Sequence, residues 1–226
     1  MYTLKSVFLS FLLMTLTPFS VWAQPHDLVP GTIAPVSPLV MVRPHAEWLG
    51  QAQSLERQRD WNALLELGRQ WTQAESRKAL AWFVLGRAAS ELGQHDEAIA
   101  AYERALRIEP DDIYSINNLG NAYRDSGRPH QAMQLWREAV RINPGYLQAW
   151  NNLGTTFYAL KGQAGVVQAL QQLQATDPVL AEVWRKLAIE YSISRDERVA
   201  RQAVGVLRGL SEAERSRMFA ILFAGV

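Results

Sequence analysis

Apolar residues along this chain recur at helical spacing inside a larger period of 34 residues. Trp48, Trp82, Ile116, Trp150 and Trp184 stand at that interval. On the same frame run Leu85-Gly86, Leu119-Gly120, Leu153-Gly154 and Leu187-Ala188, and Pro110, Pro144 and Pro178 close three of the units. A fixed period of this size marks one supersecondary unit stacked on copies of itself, because a single unit cannot bury its apolar face alone.

The residues predict that each unit is a pair of antiparallel helices. In residues 79–112, Trp82, Leu85, Ala89 and Leu92 fall on one helical face, and Gly93, which tolerates positive φ, ends that helix. Ala98, Tyr102 and Ala105 stripe a second helix that opens on Asp96 and Glu97, ends on Arg104 and Arg107 as its dipole favours, and stops at Pro110. Asp111 or Asp112 can cap the helix that follows. Residues 113–146 repeat the plan with Leu119, Gly120, Tyr123, Gly127, Ala132, Trp136, Ala139 and Pro144, and Pro129 suits the first turn of its second helix. Small residues such as Ala132 are expected where helices cross closely, with aromatic rings filling the volume beside them.

This arrangement closely resembles the tetratricopeptide repeat family. Its Trp-x-x-Leu-Gly-x-x-Tyr, Ala-x-x-x-Phe and closing proline pattern is matched by Trp82, Leu85, Gly86, Ala98, Tyr102, Ala105 and Pro110, and again from Leu119 to Pro144 with Ile116 in place of tryptophan. Residues 147–180 keep Trp150, Leu153, Gly154, Phe157 and Pro178 but carry Val166 and Leu170 where Ala and Phe are usual, and Gly162 and Gly165 weaken the start of the second helix. Residues 45–78 and 181–210 are degenerate, as terminal repeats that cap a stack often are. The resemblance implies an all-α, right-handed superhelical solenoid of stacked helix pairs over residues 45–210. It also implies a non-enzymatic protein that binds a protein or peptide along its concave groove.

Residues 1–23 hold Lys5 and an apolar run from Val7 to Leu16, with Val21 and Ala23 small enough for the pocket of a signal peptidase. They read as a secretory signal peptide with Gln24 as the mature N-terminus, and the run is too short for a comfortable membrane span. The expectation is export: periplasmic if the source has two membranes, otherwise secreted. The alternative is an uncleaved N-terminal membrane anchor. Residues 24–44 carry Pro25, Pro30, Pro35, Pro38 and Pro44, which favour an extended linker or a strap laying Ile33, Val36, Leu39, Val40 and Met41 on the repeats. At the other end, Ser211-Glu212-Ala213-Glu214 is a capping box for a last helix within residues 211–226. Its Met218–Phe223 face is expected to cover the last repeat, with self-association through that face as the alternative.

In the groove, the family likeness places Leu80, Phe83, Arg87 and Ser90 of one first helix. Tyr114, Asn117, Asn121 and Arg124 follow on the next, then Gln148, Asn151, Thr155 and Tyr158. Of these, Phe83, Arg87, Tyr114, Asn117, Asn121, Arg124, Asn151, Thr155 and Tyr158 form the expected partner-binding site. Asparagine costs helix propensity, so its recurrence wants a reason, and a side-chain amide can both donate to and accept from a peptide backbone. Asn118 and Asn152, their chain neighbours, read as structural. Arg87 and Arg124 are the obvious cations of the central units.

Composition removes other classes of function. The chain has 23 Lys and Arg against 22 Asp and Glu and no concentrated basic face, which argues against nucleic acid. There is no cysteine, hence no disulfide and no lipid attachment through sulfur. Glycine loops for phosphate, zinc-binding helix motifs and nucleophile elbows are absent, so no catalytic residue, cofactor or metal site is expected. His26, His45, His95 and His130 lie in the linker or beside helix turns; His95 and His130 occupy nearly equivalent turns but lack a matched carboxylate.

Overall fold

A computed structural model describes residues 44–222 of the chain. The expectations for the signal peptide, the linker up to residue 43 and Phe223 lie outside the described residues.

The described residues form helices and no strand. The first three units are α1 (His45–Gln58) with α2 (Trp61–Ala74), α3 (Ala79–Glu91) with α4 (His95–Ile108), and α5 (Ile113–Asp125) with α6 (Pro129–Ile142). Each second helix packs on the first helix of the next unit: α2 on α3, α4 on α5, and α6 on α7 (Leu147–Thr176). The anticipated termini are in place. Asp112 accepts hydrogen bonds from the Tyr114 and Ser115 amides at 3.3 and 3.0 Å, and Pro129 opens α6.

One backbone device repeats with the sequence period. Arg59, Gly93, Gly127 and Arg195 all have positive φ, at 57°, 71°, 78° and 58°. Behind the first three, the next residue's amide reaches back into the helix: Asp60 to Leu55 O, Gln94 to Ala89 O and Arg128 to Tyr123 O, at 3.0, 2.9 and 2.8 Å. This pairing satisfies carbonyls that the helix end leaves open. It turns the chain back for the second helix.

The fourth unit departs from this plan. The positive φ falls not at Lys161, where the period would place it, but one residue later at Gly162, with φ 65° and ψ −179°, a conformation open essentially to glycine alone. The helical path of α7 is broken there. Beyond it come α8 (Pro178–Trp184), a π-helical turn Arg185–Glu190, α9 (Tyr191–Ser194), α10 (Glu197–Gly209) and α11 (Glu212–Leu222).

The glycines of the first helices show how packing changes. A side chain at Gly86 would meet the Tyr102 ring at 2.9 Å, and one at Gly120 would meet Trp136 Nε1 at 2.5 Å. In both units the aromatic residue of the unit's own second helix lies on the glycine. Position 170, the equivalent in the fourth unit, is leucine. There a side chain at Gly154 would run directly onto the carbonyl oxygen of Ala188, in the π-helical turn of the following unit. Trp184 is fully buried, edge-on to Trp150 and Phe157 at 6.3 and 5.6 Å between ring centroids.

The capping box forms as expected. Ser211 Oγ accepts from the Glu214 amide at 3.2 Å, while Glu214 Oε2 accepts from the Ser211 amide at 2.7 Å. The helix it starts covers the array, with Phe219 stacked on Trp150 at 5.8 Å. Met218, Phe219 and Leu222 are buried in the chain's own core. Ile221 is half-buried beside them, so the described part of the Met218–Phe223 face lies largely over the last repeat.

Candidate functional site

The first helices α3, α5 and α7 carry the residues expected to meet a partner. Capping at Asp112 sets the start of α5, and its helical spacing then brings Tyr114, Asn117, Asn121 and Arg124 to successive turns of one side. Their environments differ sharply.

The amides form a ladder across two units. Asn152 Nδ2 lies 3.0 Å from both Asn117 Oδ1 and Asn121 Oδ1, so α7 is stitched to α5 through one side-chain amide. Asn117 Nδ2 in turn donates to Asn118 Oδ1 at 3.4 Å. Asn117 is buried, at 5% exposure, and its backbone carbonyl also accepts from Trp136 Nε1 at 3.1 Å. The expectation that Asn117 offers its amide to a ligand is therefore corrected: its side chain is spent within the fold. Asn121 is half-buried and holds the accessible end of the ladder.

Asn151 behaves differently. Its Oδ1 is buried and has no hydrogen-bond partner among the described residues. A buried acceptor without a donor costs about 1–3 kcal/mol, so this oxygen favours any N–H that can reach it. One turn on, exposed Thr155 donates its hydroxyl to Asn151 O at 2.8 Å, and Tyr158 stands 56% exposed beyond it. Tyr114 is 43% exposed and meets Tyr146 edge-on at 5.7 Å.

The two cations are already compensated. Arg87 lies 3.6 Å from Glu56 and 3.3 Å from Glu91, with its guanidinium 5.8 Å from the Trp61 ring centre. Burial pushes the Glu56 carboxyl above its ordinary range, against the opposing pull of Arg87. Arg124 pairs with Asp125 at 2.8 Å and lies over Trp136 at 5.8 Å. Phe83 is half-buried and packs edge-on against Tyr102 at 5.9 Å. The N-terminal end of this row is thus engaged in packing and ion pairing, and the exposed residues of the row besides Arg124 are Tyr114, Thr155 and Tyr158, with Asn121 and Asn151 half-buried.

The sequence placed Asn152 with the structural residues, and its two bonds make it the link between units. Sequence reasoning missed the two acids around Arg87. Glu91 was legible from its place one turn after Arg87 on the same helix; Glu56, from the preceding unit, was not. Among the described residues no group of three or more His, Asp or Glu side chains could hold a metal ion, and no helix is long and apolar enough to cross a membrane.

The comparisons agree with this architecture. The TPR repeat family pattern matches residues 86–127 and 120–161. Tetratricopeptide repeat protein 37 of Xenopus laevis is 39% identical over 72 residues, which are 32% of this chain and 5% of that protein. The chain thus matches only a small part of that relative's length. Among solved structures, a crystal structure of MamA superposes with a TM-score of 0.52 at 18% identity, over 73% of this chain and 81% of that one, a likeness of fold. A MamA RS-1 double mutant aligns with a TM-score of 0.49 at 18% identity, over 76% and 95% of the two chains. Residues 86–161 match the TPR repeat pattern, and the helix pairs on either side of them keep its period.

Proposed function

We propose that this chain is an exported protein–protein interaction scaffold that holds an extended segment of a partner along the first helices of its repeats. Tetratricopeptide repeats are a scaffold for binding proteins, which supports the general class. The exposed tyrosines of α5 and α7, Tyr114 and Tyr158, carry the more specific reading, on the same helices as the half-buried Asn121 and an Asn151 whose Oδ1 has no hydrogen-bond partner among the described residues. Because Arg87 and Arg124 are neutralised by neighbouring acids, the segment bound is an internal stretch rather than a terminal carboxylate. Residues 1–23 support export, to the periplasm where the source has two membranes.

A photo-crosslinking residue in place of Tyr158 should capture the partner in the native envelope. Asn151→Ala should then weaken binding of that captured partner by about 0.5–1.5 kcal/mol while leaving helical content unchanged. Undiminished affinity in the folded variant would remove the site from α7. Intact mass of the exported protein should correspond to a chain beginning at Gln24, and retention of residues 1–23 would replace export with anchoring.

A further inference from the structure

The side-chain amides of the candidate row share one orientation. Asn117 Oδ1 and Asn121 Oδ1 both accept from Asn152 Nδ2 at 3.0 Å, and Asn151 Oδ1 is buried. All three oxygens are thus turned into the fold. Asn117 Nδ2 is spent on Asn118, whereas the Nδ2 groups of half-buried Asn121 and Asn151 have no hydrogen-bond partner among the described residues. What these two amides hold out to a partner is N–H. Aromatic rings stand on the same helices. Of the Phe, Trp and Tyr side chains among the described residues, only Tyr114 and Tyr158 are exposed. Tyr114 precedes Asn121 by seven residues and Tyr158 follows Asn151 by seven, which is two turns on one face, or about 10 Å.

Taking this row as the binding surface proposed above, we infer that the segment it holds is proline-rich, bound as a polyproline II strand with its rings on the tyrosines and its carbonyls on the amides. An ordinary extended peptide brings a backbone N–H with every carbonyl. Those N–H groups gain nothing from donors and lose the water that served them. Proline brings the carbonyl without the N–H, and its compact apolar ring suits an exposed aromatic face. The spacing agrees: one turn of polyproline II is three residues and about 9 Å, close to the tyrosine-to-amide interval on each helix. Such a strand is extended before it binds, so less conformational freedom is lost on docking. Charge adds no competing preference, because Arg87 and Arg124 are already held by acids.

The probe is acetylated decaproline amide, which carries no charge, titrated into the isotope-labelled purified chain and followed by NMR. It should shift the side-chain NH2 signals of Asn121 and Asn151 saturably, and bind at least about tenfold more tightly than a glycine–serine peptide of equal length. Tyr114→Ala and Tyr158→Ala should each weaken it at least about threefold. Asn121→Asp is the sharper variant, because a carboxylate keeps the inward acceptor for Asn152 and exchanges the outward N–H for oxygen. It should weaken decaproline at least about tenfold with circular dichroism unchanged, a loss that packing alone does not produce. Equal affinity for the two peptides overturns the inference. So does decaproline binding that these variants leave intact, or no binding at millimolar concentration. Failure of the wider reading looks different. A partner crosslinked at Tyr158 through a segment without a proline run would leave the scaffold standing and remove the proline preference; no crosslink there and no decaproline binding would remove both.

Discussion

The six helices of the first three units and the helices from α7 onward share one period and fill it in different ways. Up to α6, a left-handed residue follows each first helix and returns the chain. In the second and third units an aromatic side chain of the unit's own second helix then covers the glycine of the first. From α7 the turn residue arrives one position late, at Gly162, and leucine stands where the aromatic is needed. Gly154 is then covered by backbone from the next unit. The comparison teaches that the small residue is the constant of this fold and its occupant the variable. A glycine permits close approach by whatever the rest of the unit delivers.

Alanine at the three glycines should break the comparison into a ranked series. At Gly154 the new methyl group meets a carbonyl inside a packed helical segment, which cannot step aside without moving α8 to α10. Gly154→Ala should cost about 3–5 kcal/mol, and loss of the cooperative thermal transition would fit the upper end. Gly120→Ala displaces the Trp136 ring and its bond to Asn117 O, for about 1–3 kcal/mol. Gly86→Ala should fall at the low end of that range, since Tyr102 keeps only a 3.5 Å contact from its hydroxyl to Ser90. Equal melting temperatures for the Gly154 and Gly86 variants would show that the two regions pack alike.

The seam between the regions is sharpened by Asn152. Asn152→Ala strips donors from Asn117 Oδ1 and Asn121 Oδ1, and the former is buried. The expected loss is about 1–3 kcal/mol, partly offset because alanine is the better helix former. Asn118→Ala, one period earlier, removes only the longer contact with Asn117 and should cost less. Chemical denaturation of both variants measures the difference, and matching values would reduce the ladder to a surface feature.

How far the sequence revealed this depends on the residue. The helix pairs, the Asp112 cap, Pro129, the Gly93 and Gly127 turns and the Ser211 box were all legible, because each is a local signal carried by the residue type that its geometry demands. Leu170 and Gly162 were seen as departures, but their consequence was not: which helix fills the space over Gly154 is decided by packing across units. Asn117 and Asn151 looked equivalent because the period makes them so. Their neighbours differ, however. Asn152 finds two amides on α5, whereas the α3 positions equivalent to Asn117 and Asn121 are Phe83 and Arg87, which offer no amide acceptor to Asn118. A repeat frame predicts position well and partnership poorly.

Arginine in a turn that glycine normally serves supplies a smaller test. Arg59 and Arg195 take the left-handed conformation that Gly93 and Gly127 take in the middle units, at a steric cost of about 1–2 kcal/mol for an L-residue. Glycine there relieves that cost but adds chain entropy to the unfolded state. Arg59→Gly and Arg195→Gly should therefore each stabilise the fold by up to about 1 kcal/mol, read from the urea midpoint. A loss at Arg195 alone would show that the turn in the second region is held by the arginine side chain, which lies 6.0 Å from the Tyr191 ring centre.

Acid should separate the regions most gently. Glu182, Asp196 and Glu214, all beyond α7, have carboxyls held below their ordinary range, first by hydrogen bonds from Arg185, Arg198 and Ser211 respectively. A lowered carboxylate contributes stability that is present above the unfolded value and is lost as pH falls through the folded one. In the first region Glu75 and Glu138 behave likewise, held down chiefly by the Trp71 indole N–H and by Arg141 respectively, but Glu56 runs the other way. Burial raises its value, so its contribution is present at low pH and is lost as pH rises through the folded value. On acidification across the carboxylate range, Glu56 thus opposes the losses from Glu75 and Glu138, while among the described residues no raised carboxyl opposes the three losses in the second region. Glu182 is exposed and Glu75, Glu138, Asp196 and Glu214 are half-buried, so solvent at each of them keeps the effect small. Hydrogen exchange should show protection in α8, α10 and α11 falling before that in α1 to α4 as pH is lowered. Glu56→Gln should remove the compensation and bring the two regions closer together. An unchanged order of protection with pH would mean that packing at Gly154, rather than charge, sets the weaker half of the molecule.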